Sequence, residues 1–152
     1  MYVVVQGCDK FWAKSSEGST HKENDGNGRT VFNLMKDFRF ALVMENKNFD
    51  GYVSEKIASA FLASTVPIYY GTADIFKLFN RKAFIYYDVK NPSPALERIE
   101  YLEKNHSAYR ECLAEPVLAN GEKTLEEFFS LSDEIGGGKL KKRILDMMSM
   151  PS

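Results

Sequence analysis

Two short polar stretches carry the residue types that a phosphate-bearing ligand requires. Glu45 and Asn46 directly follow the hydrophobic run 38–44. Glu55 and Lys56 stand at the predicted start of a helix. A helix N-terminus offers unpaired N–H groups and the positive end of a dipole, and the lysine adds a point charge suited to a diphosphate. Glu55 would be placed to accept hydrogen bonds from a ribose diol, as an acidic residue does in dinucleotide-binding folds.

These residues also have ordinary structural explanations. An exposed first helical turn by itself accounts for Glu55 and Lys56, because acidic side chains there complement the helix dipole, and composition favours that explanation. Tyr52, taken alone, fits a half-buried amphipathic tyrosine. Glu45 is harder to explain in this way, since a carboxylate that ends a hydrophobic strand is uncommon unless something polar meets it. Glu45 is therefore the strongest single indication of a polar site.

The elements that would position these residues follow from the hydrophobic pattern. Strands are predicted at 2–5, 38–44, 68–70 and 83–87, and helices at 30–37, 52–64, 75–78, 94–102, 107–115, 124–130 and 139–148. Pro67 is expected to stop the second of these helices. Strands that alternate with helices of this length indicate βαβ units, so we expect an α/β, Rossmann-like, mostly parallel sheet flanked by helices. In such sheets ligands bind outside the carboxyl ends of the strands, where Glu45 and Asn46 stand.

The domain organisation is expected to be simple. Residues 1–135 form one domain, with a solvated, flexible loop at about 15–29, where the composition turns to Ser, Gly, Asn, Asp and Lys. Residues 136–152 form a Gly-rich joint and a short basic amphipathic tail. The tail has three interpretations: a solvated surface helix, which is favoured, a contact with an anionic membrane surface, or a segment that packs on another domain.

Composition excludes several other classes of function. The formal net charge of −1 gives no field that would favour nucleic acid. Cys8 and Cys112 lie far apart, and nothing in the sequence indicates a disulfide between them; with His21 and His106 they form no zinc spacing. No apolar run reaches the roughly 18 residues of a membrane span. With so few thiols and no signal peptide, a cytoplasmic location is expected.

Three blocks taken together resemble the α-1,3/4-fucosyltransferases, glycosyltransferase family 10. The blocks are 38–46, ending in Glu45-Asn46, then Tyr52-Val53-Ser54-Glu55-Lys56, then Val66-Pro67-Ile68-Tyr69-Tyr70-Gly71. Their order and spacing agree with the family signature, and the resemblance covers roughly residues 1–115. Lys47 and Phe49 depart from the family pattern, and Phe49 favours a bacterial-type relative.

The resemblance implies a C-terminal donor-binding domain, one half of a GT-B glycosyltransferase, that uses GDP-fucose and needs no obligatory metal. It implies that Asn46 and Tyr52 contact the diphosphate and sugar region. It also implies that Glu55 holds ribose hydroxyls and that Lys56 binds phosphate. Glu45 would support the pocket near the fucose.

The family chemistry is inverting: a carboxylate base deprotonates an acceptor hydroxyl, which attacks the anomeric carbon while positive groups stabilise the departing GDP. The family's catalytic base lies in an acceptor domain, and that base and a phosphate-binding arginine have no counterpart in this sequence. We therefore expect the acceptor glycan to bind through another domain or partner chain, and the isolated chain to be inactive and to self-associate. The alternatives are a non-catalytic nucleotide-sugar-binding module, a decayed fragment, or an interaction domain on a Rossmann scaffold.

Overall fold

The computed structural model describes residues 3–6, 35–132, 134 and 138–149. Within them, four strands form a single sheet in the order β1-β2-β3-β4, and every neighbouring pair is parallel. The α/β, Rossmann-like architecture predicted from the sequence is confirmed. The strands are β1 (Val3–Gln6), β2 (Phe40–Met44), β3 (Val66–Tyr70) and β4 (Ile85–Tyr86).

Helices follow or connect the strands. Asn105 separates two of them and caps the second, because its side chain accepts a hydrogen bond from the Ala108 N–H at 3.0 Å. The last helix has the amphipathic composition predicted for the tail. The helices are α1 (Lys56–Leu62), α2 (Ile75–Leu78), α3 (Ser93–Lys104), α4 (His106–Ala114), α5 (Glu122–Thr124, continued by a π-helical turn over Leu125–Phe129) and α6 (Lys139–Ser149).

Two hydrophobic clusters cover the two faces of the sheet. Alternation along β2 sends Ala41 and Val43 to one face, where they pack with residues of α1 and α2. Phe40 points to the other face and packs with residues of α3 and α4. Burying a side chain of this size stabilises the fold by roughly 1.5–3 kcal/mol. The sheet is thus covered on both faces, as parallel sheets require.

Helix α1 is shorter than predicted. The pattern indicated a helix over 52–64, but the helix begins at Lys56 and ends at Leu62. At the end of this segment Ser64 has a left-handed backbone with φ 56°. At the start, the backbone N–H of Ser54 donates to the side chain of Glu45, which holds 52–54 outside the helix.

Pro67 lies inside β3 and does not end the preceding helix, so that prediction was wrong. The Val66 N–H donates to the Arg39 carbonyl at the start of β2, at 3.0 Å. Because successive residues of a parallel strand bond to opposite neighbours, the nitrogen of Pro67 faces the β4 side. Pairing with β4 begins only at Ile68 with Ile85. The missing N–H of Pro67 therefore removes no ladder hydrogen bond.

Several predicted bounds change for local reasons. Strand β2 begins at Phe40, because the Phe38 N–H donates to the Met35 carbonyl and closes a turn just before it. Strand β4 is shorter than predicted, because the Ala83 N–H donates to the Asn80 carbonyl and forms a turn there. Of the helix predicted over 30–37, Met35 is helical and 36–37 form a turn.

Other predictions fall wholly or partly outside the described part of the chain. The rest of the helix predicted over 30–37, the loop at 15–29 and residues 136–137 of the joint lie outside the described residues, as does Cys8. Cys112 is a buried free thiol, and burial raises its pKa. Among the described helices, none has the length and apolar character needed to cross a membrane.

Candidate functional site

Three of the polar residues singled out in the sequence, Glu45, Asn46 and Lys56, meet at the carboxyl edge of the sheet. Strand β2 runs into Glu45 and Asn46, and β3 runs into Gly71. The two strand ends are joined by a hydrogen bond from the Glu45 N–H to the Tyr70 carbonyl, at 2.9 Å. This edge is where open α/β sheets bind ligands.

Glu45 is buried, and both its oxygens accept hydrogen bonds. Its side chain has no exposed area. Oε1 accepts from the Ser54 N–H at 2.9 Å, and Oε2 accepts from the Ser54 hydroxyl at 2.7 Å. Hydrogen bonds to a charged group contribute more than neutral ones. The carboxylate therefore ties the end of β2 to the segment that leads into α1.

Lys56 turns back toward the same strand end. Its ammonium donates to the Met44 carbonyl at 3.0 Å and to Asn46 Oδ1 at 2.9 Å. It also lies 4.0 Å from Glu45 Oε2. Only 9% of the residue is exposed, so these acceptors and the carboxylate replace most of the water around the charge. The structure thus brings together Glu45, Asn46 and Lys56.

Gly71 is the residue that allows β3 to end beside this cluster. A Cβ on Gly71 would lie 2.7 Å from Tyr69 Cζ and 2.8 Å from Glu45 Cγ, and closer still to the Tyr69 hydroxyl. No real side chain fits at such distances. On the β4 side, the Tyr86 hydroxyl donates to the Gly71 carbonyl at 2.9 Å. The backbone at Gly71 is therefore fixed from both directions.

Tyr69 is completely buried beneath this turn. Its ring packs against Phe84 and Tyr86, with centroids 6.2 and 6.4 Å away. Its hydroxyl makes no hydrogen bond of ordinary geometry with the described residues, although it lies close to the side chain of Glu45. Burial, followed by the negative charge of Glu45, holds the pKa of Tyr69 far above its ordinary value. The phenol therefore stays neutral and keeps a proton that it can donate.

The loop between Asn46 and Tyr52 is tethered to α2. The Gly51 N–H donates to Asp74 Oδ2 at 2.7 Å, and Asp74 Oδ1 pairs with Lys77 at 2.6 Å. Gly51 has φ 80°, a conformation that glycine adopts without strain. The pair with Lys77, and then the bond from Gly51, lower the pKa of Asp74. This loop carries Phe49, whose ring centroid lies 5.1 Å from that of Tyr52.

Two of the predicted site residues lie apart from the cluster of Glu45, Asn46 and Lys56. Tyr52 is half-buried and packs on Phe49, with no side-chain hydrogen bond to the described residues around Glu45 and Lys56. Glu55 is exposed and precedes the first residue of α1 without capping it. Because α1 has only 7 residues, the dipole at its N-terminus would attract an anion less strongly than the dipole of the longer predicted helix.

Sequence reasoning missed the residues that hold the cluster in place. Ser54, Tyr69, Gly71 and Asp74 were not predicted as site residues. Three of them stand inside the blocks that resemble family 10, which is the signal that could have found them. Within the described ranges, no group of three or more His, Cys, Asp or Glu side chains could hold a metal ion.

The sequence matches known proteins over most of its length. The profile of glycosyltransferase family 10 (fucosyltransferase), C-terminal part, matches residues 9–114. A protein of Acanthamoeba polyphaga mimivirus with a provisional fucosyltransferase name is 31% identical over 131 residues, which are 85% of this chain and 22% of that protein. An α-(1,3)-fucosyltransferase of Helicobacter pylori is 35% identical over 102 residues, which are 66% of this chain and 21% of that protein. The chain thus spans about a fifth of the length of these curated relatives.

Solved structures agree with the sequence relationship. A crystal structure of an α1,3-fucosyltransferase with GDP superposes with a TM-score of 0.56 at 33% identity, covering 68% of this chain and 28% of that one. One with GDP-fucose gives a TM-score of 0.52 at 34% identity, covering 63% of this chain and 28% of the other. The fold is that of one half of a GT-B glycosyltransferase. The chain belongs to glycosyltransferase family 10, the fucosyltransferases, and carries residues of the family's C-terminal domain.

Proposed function

We propose that this chain provides the donor site of a fucosyltransferase that transfers fucose from GDP-fucose to a hydroxyl of an acceptor glycan, with inversion at the anomeric carbon. The observation that carries the proposal is the cluster at the carboxyl edge of the sheet, in which the buried Glu45 and Lys56 meet the exposed Asn46. It is supported by membership of family 10 and by the similar structures that hold GDP and GDP-fucose.

Lys56 and Asn46 supply the donors for the diphosphate. A lysine ammonium has three N–H groups, and Lys56 uses two of them on Met44 and Asn46. The third remains for a phosphate oxygen. Because Asn46 Oδ1 accepts from the ammonium, its NH₂ group points away from that charge, and Asn46 is exposed. An anion at this edge would therefore meet an ammonium proton and two amide protons.

Tyr52 and Glu55 are proposed to contact the outer parts of the donor. Glu55 is exposed beside Lys56, and its carboxylate can accept both hydroxyls of a ribose diol. Tyr52, with Phe49 against its ring, offers an aromatic surface and a hydroxyl to the sugar. The loop that carries Phe49 is held in place by Asp74, which accepts a hydrogen bond from the Gly51 N–H.

Catalysis in this proposal needs groups beyond the donor site. A carboxylate base on the acceptor side removes the proton of the attacking hydroxyl, and the ammonium of Lys56 balances charge that develops on GDP, without a metal ion. The chain corresponds to about a fifth of its curated relatives. We therefore propose that the 152 residues assayed alone bind the donor nucleotide without transferring fucose.

Calorimetric titration with GDP and GDP-fucose tests the donor site. Wild-type chain is expected to bind both, and Lys56→Ala to lose most of the affinity. Lys104→Ala is the matched control: it removes an exposed lysine of α3 whose described ion pair is with Glu100. Circular dichroism checks that each variant is folded. If the folded wild-type chain gives no heat with either nucleotide, the donor-site proposal is wrong for this chain.

For α6 we propose contact with an anionic membrane surface from the cytoplasmic side. The helix carries four basic residues and a single acidic one, Asp146. Leu145 and Met148 are 55% and 78% exposed. Helices that lie at the surface of an anionic membrane typically combine basic residues with exposed apolar side chains in this way.

A further inference from the structure

One buried polar atom at the donor site has no partner. The side chain of Tyr69 is completely buried, and its hydroxyl makes no hydrogen bond with the described residues. Buried hydroxyls are almost always bonded, because an unpaired one loses its interactions with water and gains nothing in return. A phenylalanine would fill the same space without that loss. We therefore expect the hydroxyl to form a hydrogen bond in another state of the protein.

The carboxylate of Glu45 is a hydrogen-bond acceptor close to the Tyr69 hydroxyl. The Tyr69 ring and Glu45 Cγ approach the same point beside Gly71, 2.7 and 2.8 Å from the position of a hypothetical Cβ. Tyr86, whose ring packs against Tyr69, already donates its hydroxyl to the Gly71 carbonyl. A carboxylate offers about four lone-pair positions. Ser54 fills two of those on Glu45, which leaves room for one more donor.

The charge of Glu45 is balanced by Lys56 over a long distance. The ammonium lies 4.0 Å from Oε2, and its two hydrogen bonds go to Met44 and Asn46 instead. A ligand diphosphate placed at Asn46 would draw the ammonium outward. Glu45 would then remain as a buried carboxylate whose nearest positive charge has moved away, which is costly unless another donor takes over.

We propose that Tyr69 is a positioning residue that takes the place of Lys56 as partner of Glu45 when the diphosphate of the donor draws the ammonium outward. The idea rests on the proposed donor site. In the free protein the hydroxyl lies close to the carboxylate of Glu45 but makes no hydrogen bond of ordinary geometry with it; in the complex it closes on the carboxylate and donates to it, while Glu45 stays bound to Ser54. The new hydrogen bond forms only on binding, so it contributes to affinity and not to the stability of the free chain. Gly71 is required because any side chain there would separate the phenol from the carboxylate.

The test compares Tyr69→Phe with Tyr109→Phe. Tyr109 is also partly buried, but its hydroxyl donates to the Arg39 carbonyl, at 2.7 Å, at the opposite end of β2. Tyr69→Phe is expected to leave the melting temperature unchanged or raised, while the dissociation constant for GDP rises at least roughly tenfold, since a hydrogen bond to a charged group is lost. Tyr109→Phe is expected to lower the melting temperature and leave GDP affinity unchanged.

Each other outcome would contradict the proposal that the Tyr69 hydroxyl replaces Lys56 as the partner of Glu45. If Tyr69→Phe lowers the melting temperature as Tyr109→Phe does, or does not fold, the hydroxyl is already bonded in the free protein. If Tyr69→Phe is stable and binds GDP as the wild type does, the hydroxyl has no part in binding, and the donor site stands without it. If the folded wild type does not bind GDP, the donor-site proposal fails first, and the role of Tyr69 fails with it.

Discussion

Substituting Gly71 by alanine tests the close approach of Tyr69 and Glu45 at the carboxyl edge of the sheet, where the donor site is proposed. The new methyl would lie 2.7 Å from Tyr69 Cζ and 2.8 Å from Glu45 Cγ. Neither group can easily move: Tyr69 is completely buried, and Glu45 is bonded twice to Ser54. Overpacking of this kind costs about 1–3 kcal/mol. For a domain of 152 residues, a loss of about 2 kcal/mol lowers the melting temperature by roughly 4–8 °C.

The assay is thermal and urea unfolding followed by circular dichroism, with a second substitution to identify the clash. Because the Tyr69 hydroxyl is the nearest atom to the new methyl, Tyr69→Phe in the Gly71→Ala background should restore about 1 kcal/mol. Gly51→Ala is the control: it places a methyl in open space at φ 80°, so its loss arises from backbone strain and Tyr69→Phe should not restore it. A melting temperature within 1 °C of wild type for Gly71→Ala, or restoration equal in both backgrounds, would refute the reasoning.

Four further predictions concern other parts of the molecule. Glu45→Ala should destabilise the fold by about 3–5 kcal/mol in urea unfolding, because it leaves the ammonium of Lys56 without its counter-charge; a loss below 1 kcal/mol would show that the pair is not needed. Because the pKa of Asp74 is lowered in the fold, its contribution is present above the unfolded pKa of about 3.9 and is lost as pH falls through the folded value. Asp74→Asn should therefore lower the melting temperature at pH 6 and lower it progressively less as the pH falls below about 3.9, and an equal loss throughout would be contrary to this. Wild-type chain should sediment with vesicles of anionic lipid and not with neutral ones, and Lys142→Glu should weaken that binding; equal sedimentation with both lipids would argue against α6 as a charged contact. Light scattering at high concentration should show self-association, which a clean monomer would contradict.

The parts of the fold set by hydrophobic pattern were predictable. Strands β2 and β3 and helices α2 to α4 lie close to their predicted positions, because burial at a fixed period determines them. Helices α5 and α6 also lie near their predicted positions, although α6 buries none of its residues. Glu45 was correctly identified as anomalous for a strand end. The structure supplies the reason, since its carboxylate is enclosed by Ser54 and faces Lys56.

The parts set by side-chain geometry were not predictable. The helical spacing of apolar residues extends over 52–64, and nothing in that pattern shows that Ser54 donates hydrogen bonds to Glu45, nine positions earlier. Similarly, Pro67 is tolerated in β3 only because its nitrogen faces a side where β4 has not yet begun. Such facts depend on register and on which neighbour a group faces, and a single sequence does not encode these in any local pattern.

The pairing of Glu45 with Lys56 explains how a carboxylate can stand in the proposed site for a diphosphate. A buried charge is costly unless an opposite charge or hydrogen bonds compensate it, and Glu45 supplies the opposite charge beside the ammonium of Lys56. The pair then has no net charge. Attraction of a diphosphate must rest on donors aimed at it, the free ammonium N–H and the amide of Asn46, and not on a positive field. Directed donors would hold a leaving group in one geometry, which the proposed transfer to a defined acceptor hydroxyl requires, whereas a net positive surface would attract any polyanion.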